Sequence, residues 1–324
     1  MTRVTHRTMQ ESTLANLQRN LTSMSSLQER LSTGKNINRA SDDPTGTVSV
    51  LQLRQDLRAA EQYSRNADDG LAWLTTIDTA LQTTSAQLRK AQDLTLSALN
   101  QGAQSEDSRA AIALELRGIK DSVLGLANTK YLDRSVFAGT TGMDSAYALN
   151  DTAAPSGHVY AQTSAAVAAP DSKDGQVLRR IDAATQVRVD IDGRKAFGDD
   201  QEMSGPDDFA KMSVFTLLDR VAGLVQTSGE PDLTSINAAY GALKTRMTAV
   251  GAALSDVGTN MNRLSSAQDV AEDRKVALSS ALSGVEDTDL TETIVQMQMQ
   301  EVAYKAALGA TAKVLQPSLM DFLR

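Results

Sequence analysis

The residues best suited to proton transfer or metal binding, His6 and His158, are the chain's only two histidines, and they lie far apart in sequence. A general base needs an orienting partner and a metal needs convergent ligands, and neither histidine has a neighbour at a spacing that supplies them. Gly34-Lys35 carries the glycine–lysine pair of a phosphate loop, but Glu29 stands in the place of the first glycine and Asn36 in the place of Ser or Thr. Asp190-Ile191-Asp192-Gly193 opens like a calcium loop, yet it lacks the third ligand pair and the closing glutamate, and it reads as a hairpin turn. Acidic pairs are plentiful, but none sits in an apolar segment able to raise a carboxyl pKa for acid catalysis. There are no cysteines, hence no disulfide and no thiolate metal site. The expectation is a protein that is not an enzyme, with no cofactor, no metal and no small-molecule substrate.

What the residues do position is each other. Ile236, Tyr240, Leu243, Met247, Val250, Leu254, Val257, Met261 and Leu264 alternate steps of four and three, the a/d seam of a coiled coil. After a break near Gly284, Leu290, Ile294, Met297, Tyr304, Leu308 and Leu315 keep that spacing, with Glu301 and Thr311 interrupting it. At the other end Leu14, Leu17, Leu21, Met24, Leu27 and Leu31 repeat at threes and fours. A chain whose first and last segments both carry such seams is expected to fold back on itself, so that its termini share one bundle.

Between the ends, a first helix is predicted over residues 11–32, closed by a glycine cap at Gly34. A polar, turn-prone linker follows and ends on a strong helix start, Asp43 as N-cap with Pro44 in the first helical position. The next helix runs to roughly Leu99, about 75 Å at 1.5 Å per residue, and a further one covers about 107–128. From Tyr131 glycine, proline and aspartate become frequent, and Val187-Arg188-Val189-Asp190-Ile191 alternates as a strand does. A helix from Phe209 to about Thr227 and the long heptad helix lead back. The predicted fold is mainly α: a long coiled-coil helical hairpin formed by the N- and C-terminal segments, with a small, mostly β insert at its tip. The divisions are 1–43 and 284–324 for a terminal helical domain, 44–130 and 206–283 for the outgoing and returning stem, and 131–205 for the insert.

Charge divides along the same lines. Residues 1–60 carry eight basic and five acidic side chains, residues 131–210 seven basic and thirteen acidic, and the whole chain has a formal charge of −8. That balance argues against a nucleic-acid partner. No run approaches the roughly 18 apolar residues of a membrane span, and residues 1–10 show no signal-peptide core, so any export is expected to proceed without a cleaved signal.

One motif remains. Leu31-Ser32-Thr33-Gly34-Lys35-Asn36-Ile37-Asn38-Arg39-Ala40-Ser41-Asp42-Asp43-Pro44, set between two heptad helices, resembles the N-terminal signature of the flagellin superfamily. Pro44, where flagellins usually continue Ala-Ala-Gly, is similar to the hook-associated protein 3 branch, as is the ending Gln316-Pro317-Ser318-Leu319-Met320-Asp321-Phe322-Leu323. Arg3-Val4-Thr5 and Phe137-Ala138-Gly139 are further shared signals, while Ala40 and the final Arg324 depart from the usual pattern. The resemblance implies a structural subunit of the extracellular bacterial flagellum, forming a ring of identical subunits at the hook–filament junction. The alternative is a short flagellin that builds the filament itself. Implied partners are hook-associated protein 1 below, flagellin above, the type III export apparatus and an export chaperone. The assembly interface is expected at Leu14, Leu17, Leu21, Leu27 and Leu31, at the Ser41, Asp42, Asp43 and Pro44 turn, at Leu243, Val250, Leu254, Val257 and Leu264, and at Leu290, Ile294, Met297, Leu308 and Leu315. The chaperone is expected on Ile294, Met297, Tyr304, Leu308 and Leu315.

Overall fold

The structure, a computed structural model, describes residues 6–100, 105–140, 145–150, 157–160, 175–200, 208–227 and 232–315. Among these are helices α1 (His6–Thr33), α2 (Pro44–Leu99), α3 (Glu106–Ala127), α4 (Gly193–Phe197), α5 (Val214–Gln226), α6 (Leu233–Glu286) and α7 (Leu290–Leu315). Three two-stranded antiparallel sheets accompany them: β1 (Lys130–Tyr131) with β2 (Arg134–Ser135), β3 (Tyr147–Asn150) with β4 (Gly157–Tyr160), and β5 (Leu178–Arg180) with β6 (Gln186–Arg188). The fold is mainly α with small β elements, as the periodicity predicts. The chain forms two compact units, one of Met1–Ala60 with Asp273–Arg324, the other of Glu61–Glu272.

The core of the second unit is built on heptads. On α2, Ala67, Leu74, Leu81, Leu88 and Thr95 are buried at every seventh residue, and Ile77, Thr84, Ala91 and Ala98 form the companion row. On α6, Ile236, Leu243, Val250, Val257 and Leu264 are fully buried at the same interval, whereas Tyr240, Met247, Leu254 and Met261 are half-buried. A strict repeat of seven on both helices is the pattern of knobs packed into facing holes. Contacts between Gly70 and Leu264 and between Asp68 and Gln268 (2.7 Å) show that the two helices run antiparallel. Gly70 marks a close approach, since a Cβ there would come 2.9 Å from a Leu264 methyl and 3.0 Å from Val189 and would push them back. Thr84 and Thr95 sit in the seam without penalty because each hydroxyl donates to the carbonyl one turn back, at 2.8 and 2.7 Å.

Helices α3 and α5 pack on each other and on this seam. Ser213 N-caps α5 by accepting from the Thr216 N–H at 3.3 Å, and buried Asp200 accepts from the Ser213 N–H and hydroxyl at 2.6 and 2.8 Å. That cap sets the start of α5 at Val214 rather than at the predicted Phe209.

Phe137 after β2, Tyr147 on β3, Phe197 on α4 and Phe215 on α5 form an aromatic cluster, with ring centroids 4.8–5.9 Å apart. Asp192-Gly193 is not the turn of a hairpin. The hairpin lies upstream, with β5 and β6 closed through residues 181–185, and Asp192 instead caps α4 by accepting from the Arg194 N–H at 2.9 Å. Asp190 accepts from the Val177 N–H at 2.9 Å and from Arg188 at 3.0 Å, so both carboxylates are engaged in holding local structure. Gly198 follows α4 with φ 83°, and a Cβ there would lie 2.8 Å from the Arg246 guanidinium. Arg246 in turn donates to the carbonyls of Met212 (3.0 Å) and Ala210 (3.2 Å). Gly198→Ala is therefore expected to lower stability by about 1–3 kcal/mol, read as an earlier urea midpoint.

Candidate assembly surface

The first unit is organised by its two chain reversals. Gly34, at φ 70°, ends α1 in the left-handed conformation, and its N–H donates to the Arg30 carbonyl at 2.8 Å. The linker then zips onto the α6–α7 break. The Asn36 N–H donates to the Glu286 carbonyl at 2.7 Å, the Thr288 N–H donates to the Gly34 carbonyl at 3.0 Å, and Lys35 pairs with Asp287 as a bridge. Asp42 turns the linker by accepting from the N–H groups of Asn38 (3.1 Å) and Arg39 (2.8 Å). Asp43 caps α2 through the N–H groups of Thr45 (3.0 Å) and Gly46 (2.9 Å), with Pro44 in the first position, where a missing donor costs nothing. Asp289 performs the same service for α7, accepting from Thr291 at 2.8 Å.

Glu286 locks this junction. Its side chain is 5% exposed and takes Lys35 and, at 2.6 Å, Arg54. Burial alone would push this carboxyl up; the hydrogen bonds and charges of Lys35 and Arg54 outweigh it and hold the group below its ordinary value of 4.5. A carboxylate depressed in this way stabilises the fold fully above that ordinary value, and the contribution is lost as pH falls through the folded one. Protection of the Asn36 and Thr288 amides in hydrogen exchange is expected to fall as pH drops below that ordinary carboxyl value. Glu286→Gln should remove that pH dependence and cost about 1–2 kcal/mol; the half-exposed partners keep it under the penalty of a fully buried pair.

From this junction α1 and α7 run antiparallel, with Asn20 meeting Gln300 at 3.3 Å farther along. Their shared seam is thin. Leu17, Met24, Leu27 and Leu31 on α1, and Met297, Tyr304 and Ala307 on α7, are only half-buried. Two helices alone bury one stripe each, and here the remaining faces are also apolar. Leu14, Leu21, Leu290, Ile294, Val295, Met299, Val302 and Leu308 are all exposed, Val302 at 66%. An apolar strip of that length on a soluble surface marks an interaction site.

The expected interface residues thus divide by place. Leu14, Leu21, Leu290, Ile294 and Leu308 lie on the open face, while Leu17, Leu27, Leu31, Met297 and Tyr304 lie in the intrachain seam. Ser41, Asp42, Asp43 and Pro44 are exposed on the linker turn. Leu243, Val250, Val257 and Leu264 are buried in the core of the second unit, with Leu254 packed against it, so they serve the chain's own packing. The Leu315 side chain, like the 316–323 ending, lies outside the described residues. Val295, Met299 and Val302 do not figure in the sequence reading. Their own spacing of four and three, a second apolar row on α7, is the signal that finds them.

Two family models match this chain: the bacterial flagellin N-terminal helical region over residues 4–141 and the bacterial flagellin C-terminal helical region over residues 240–323. The chain belongs to the flagellin superfamily. It is 26% identical to the flagellar hook-associated protein 3 of Escherichia coli over 293 residues, 87% of each chain. It is 24% identical to the flagellin of Bacillus subtilis over 320 residues, 97% of this chain and 96% of that one. The solved structure of flagellar hook-associated protein 3 from Legionella pneumophila matches with a TM-score of 0.59 at 14% identity, over 73% of this chain and 98% of that chain, and shares its fold.

Proposed function

We infer that this chain is a structural subunit of the bacterial flagellum and forms the hook–filament junction. The observation that carries the structural role is the open apolar face of α1 and α7, which two helices cannot cover and neighbouring subunits can. The junction position is favoured over the filament by Pro44 at the start of α2 and by the likeness to the hook-associated protein 3 of Escherichia coli. In this reading residues 1–43 and 284–324 supply the subunit contacts, residues 44–130 and 206–283 form the stem, and 131–205 is the variable insert. The subunits form a ring seated on hook-associated protein 1 and extended by flagellin. Before assembly the exposed Ile294 and Leu308 give an export chaperone its apolar foothold, on a chain passed outward by the type III apparatus.

Deletion of the coding sequence tests the assignment, with electron microscopy of the cells and an assay of flagellin in the medium. Bare hooks with abundant free flagellin are the expected result. Missing filaments with no other flagellin in the medium would assign the chain to the filament itself, and normal filaments would remove it from the flagellum.

A further inference from the structure

Among the described residues, Leu132 and Asp133 are the only non-glycine positions with positive φ, 48° and 60°. They form the two-residue loop of the β1–β2 hairpin, where Tyr131 pairs with Arg134 and both central residues must be left-handed. Asn-Gly or Asp-Gly is the usual solution, and leucine is among the residues least suited to that conformation. Leu132 is also 74% exposed, more than any other large apolar side chain described. The strained turn is held rigidly from below: Tyr131 packs edge-on against Trp73 at 5.6 Å and the Arg134 guanidinium lies over the Trp73 ring at 5.5 Å. A strained backbone that displays a leucine in water, on a braced hairpin, is a feature looking for a partner.

The first unit carries a depression of matching character. Ile37, Val50 and Leu51 give it an apolar lining, and Lys35, Arg39 and Arg54 stand on its rim, enclosing about 230 Å³. Among the lining residues themselves these three cations meet a single carboxylate, Glu286, while Asp42 is turned to the backbone N–H groups of Asn38 and Arg39. A leucine followed by an exposed aspartate fits it in both respects, the methyl groups on the lining and the carboxylate at the rim.

We propose that the Leu132–Asp133 tip of one subunit docks in the Lys35–Arg39–Arg54 depression of a second copy of this chain. The contact is head-to-tail, because knob and hole are different surfaces, and such a contact is of the kind that builds a ring where its rotation closes. The inference rests on the ring-forming role proposed above.

The chain has no cysteine, so a crosslink reads the contact without background. Flagella isolated from cells expressing Leu132→Cys with Leu51→Cys are oxidised and blotted for this chain without reductant. A ladder of dimers and higher species that is absent from either single variant is expected. The chain present in flagella but monomeric, or crosslinked to another protein, overturns the proposal. The chain missing from wild-type flagella overturns the junction reading, and this contact with it. Leu132→Asn gives an independent readout, since it relieves the turn and removes the knob. Its melting temperature should rise by a few degrees, while its incorporation should fall about tenfold, as for loss of an apolar anchor. Unchanged incorporation contradicts the contact even if the ladder is missing for reasons of folding.

Discussion

Val250→Asp is expected to unfold the second unit. Val250 is fully buried between Leu243 and Val257 in the α6 heptad row, in one core with Leu74, Leu81 and Leu88 of α2, and the Arg246 guanidinium one turn back is engaged by the carbonyls of Met212 and Ala210. The substitution removes apolar burial and places a charge where it can be neither solvated nor paired, a cost of about 4 kcal/mol or more. Domains of ordinary stability retain about 5–15 kcal/mol, so most of the margin disappears. Trp73 is the chain's single tryptophan and is buried in this unit, so its fluorescence reports this unit alone in a urea titration. A midpoint close to that of the parent protein would show that the seam does not carry the core. Val250→Ala, which leaves a small cavity without a charge, should lose only about 1–2.5 kcal/mol.

Val302→Asp should do the reverse. At 66% exposure Val302 has little to lose within the monomer, and a surface change of this kind alters stability by about 0.5 kcal/mol or less. In the assembled state the same position is predicted to be covered by a neighbouring helix, and a carboxylate there meets the desolvation cost that Val250→Asp meets inside the monomer. The Trp73-monitored transition should therefore be unchanged, while the protein disappears from isolated flagella and accumulates in the medium. Pairing it with Val295→Asp, seven residues away on the same row, strengthens the effect. Normal incorporation of the double variant would mean that the α7 face is not an assembly surface.

The contrast between these two valines marks what the sequence could and could not show. A repeat of fours and threes identifies a seam, and on α6 the structure has one at Ile236, Leu243, Val250, Val257 and Leu264. The repeat does not say whose helix lies opposite, and those residues face their own chain. On α7 the helix is apolar on more than one side, so the spacing alone could not separate the Met297–Tyr304 seam from the Val295–Val302 row that is left open. Reversals governed by local chemistry were legible, namely the Gly34 cap and the Asp43-Pro44 start, because a glycine, a carboxylate and a proline each act on the backbone next to them. The Glu286 lock was not, since Lys35, Arg54 and Glu286 come together only after the chain folds back. Nor was the β1–β2 turn, because Leu132 is a residue that avoids positive φ and Asp133 has no glycine beside it to complete the usual signal.

The central claim is that this chain sits at one place in the flagellum and does not make up its length. Ala183, exposed between β5 and β6, offers a labelling site in a chain without cysteine. Flagella carrying Ala183→Cys, reacted with a maleimide label and imaged along their length, are predicted to show a single mark where hook meets filament. Label distributed continuously along the filament would contradict the junction assignment and identify the chain as the filament's own subunit.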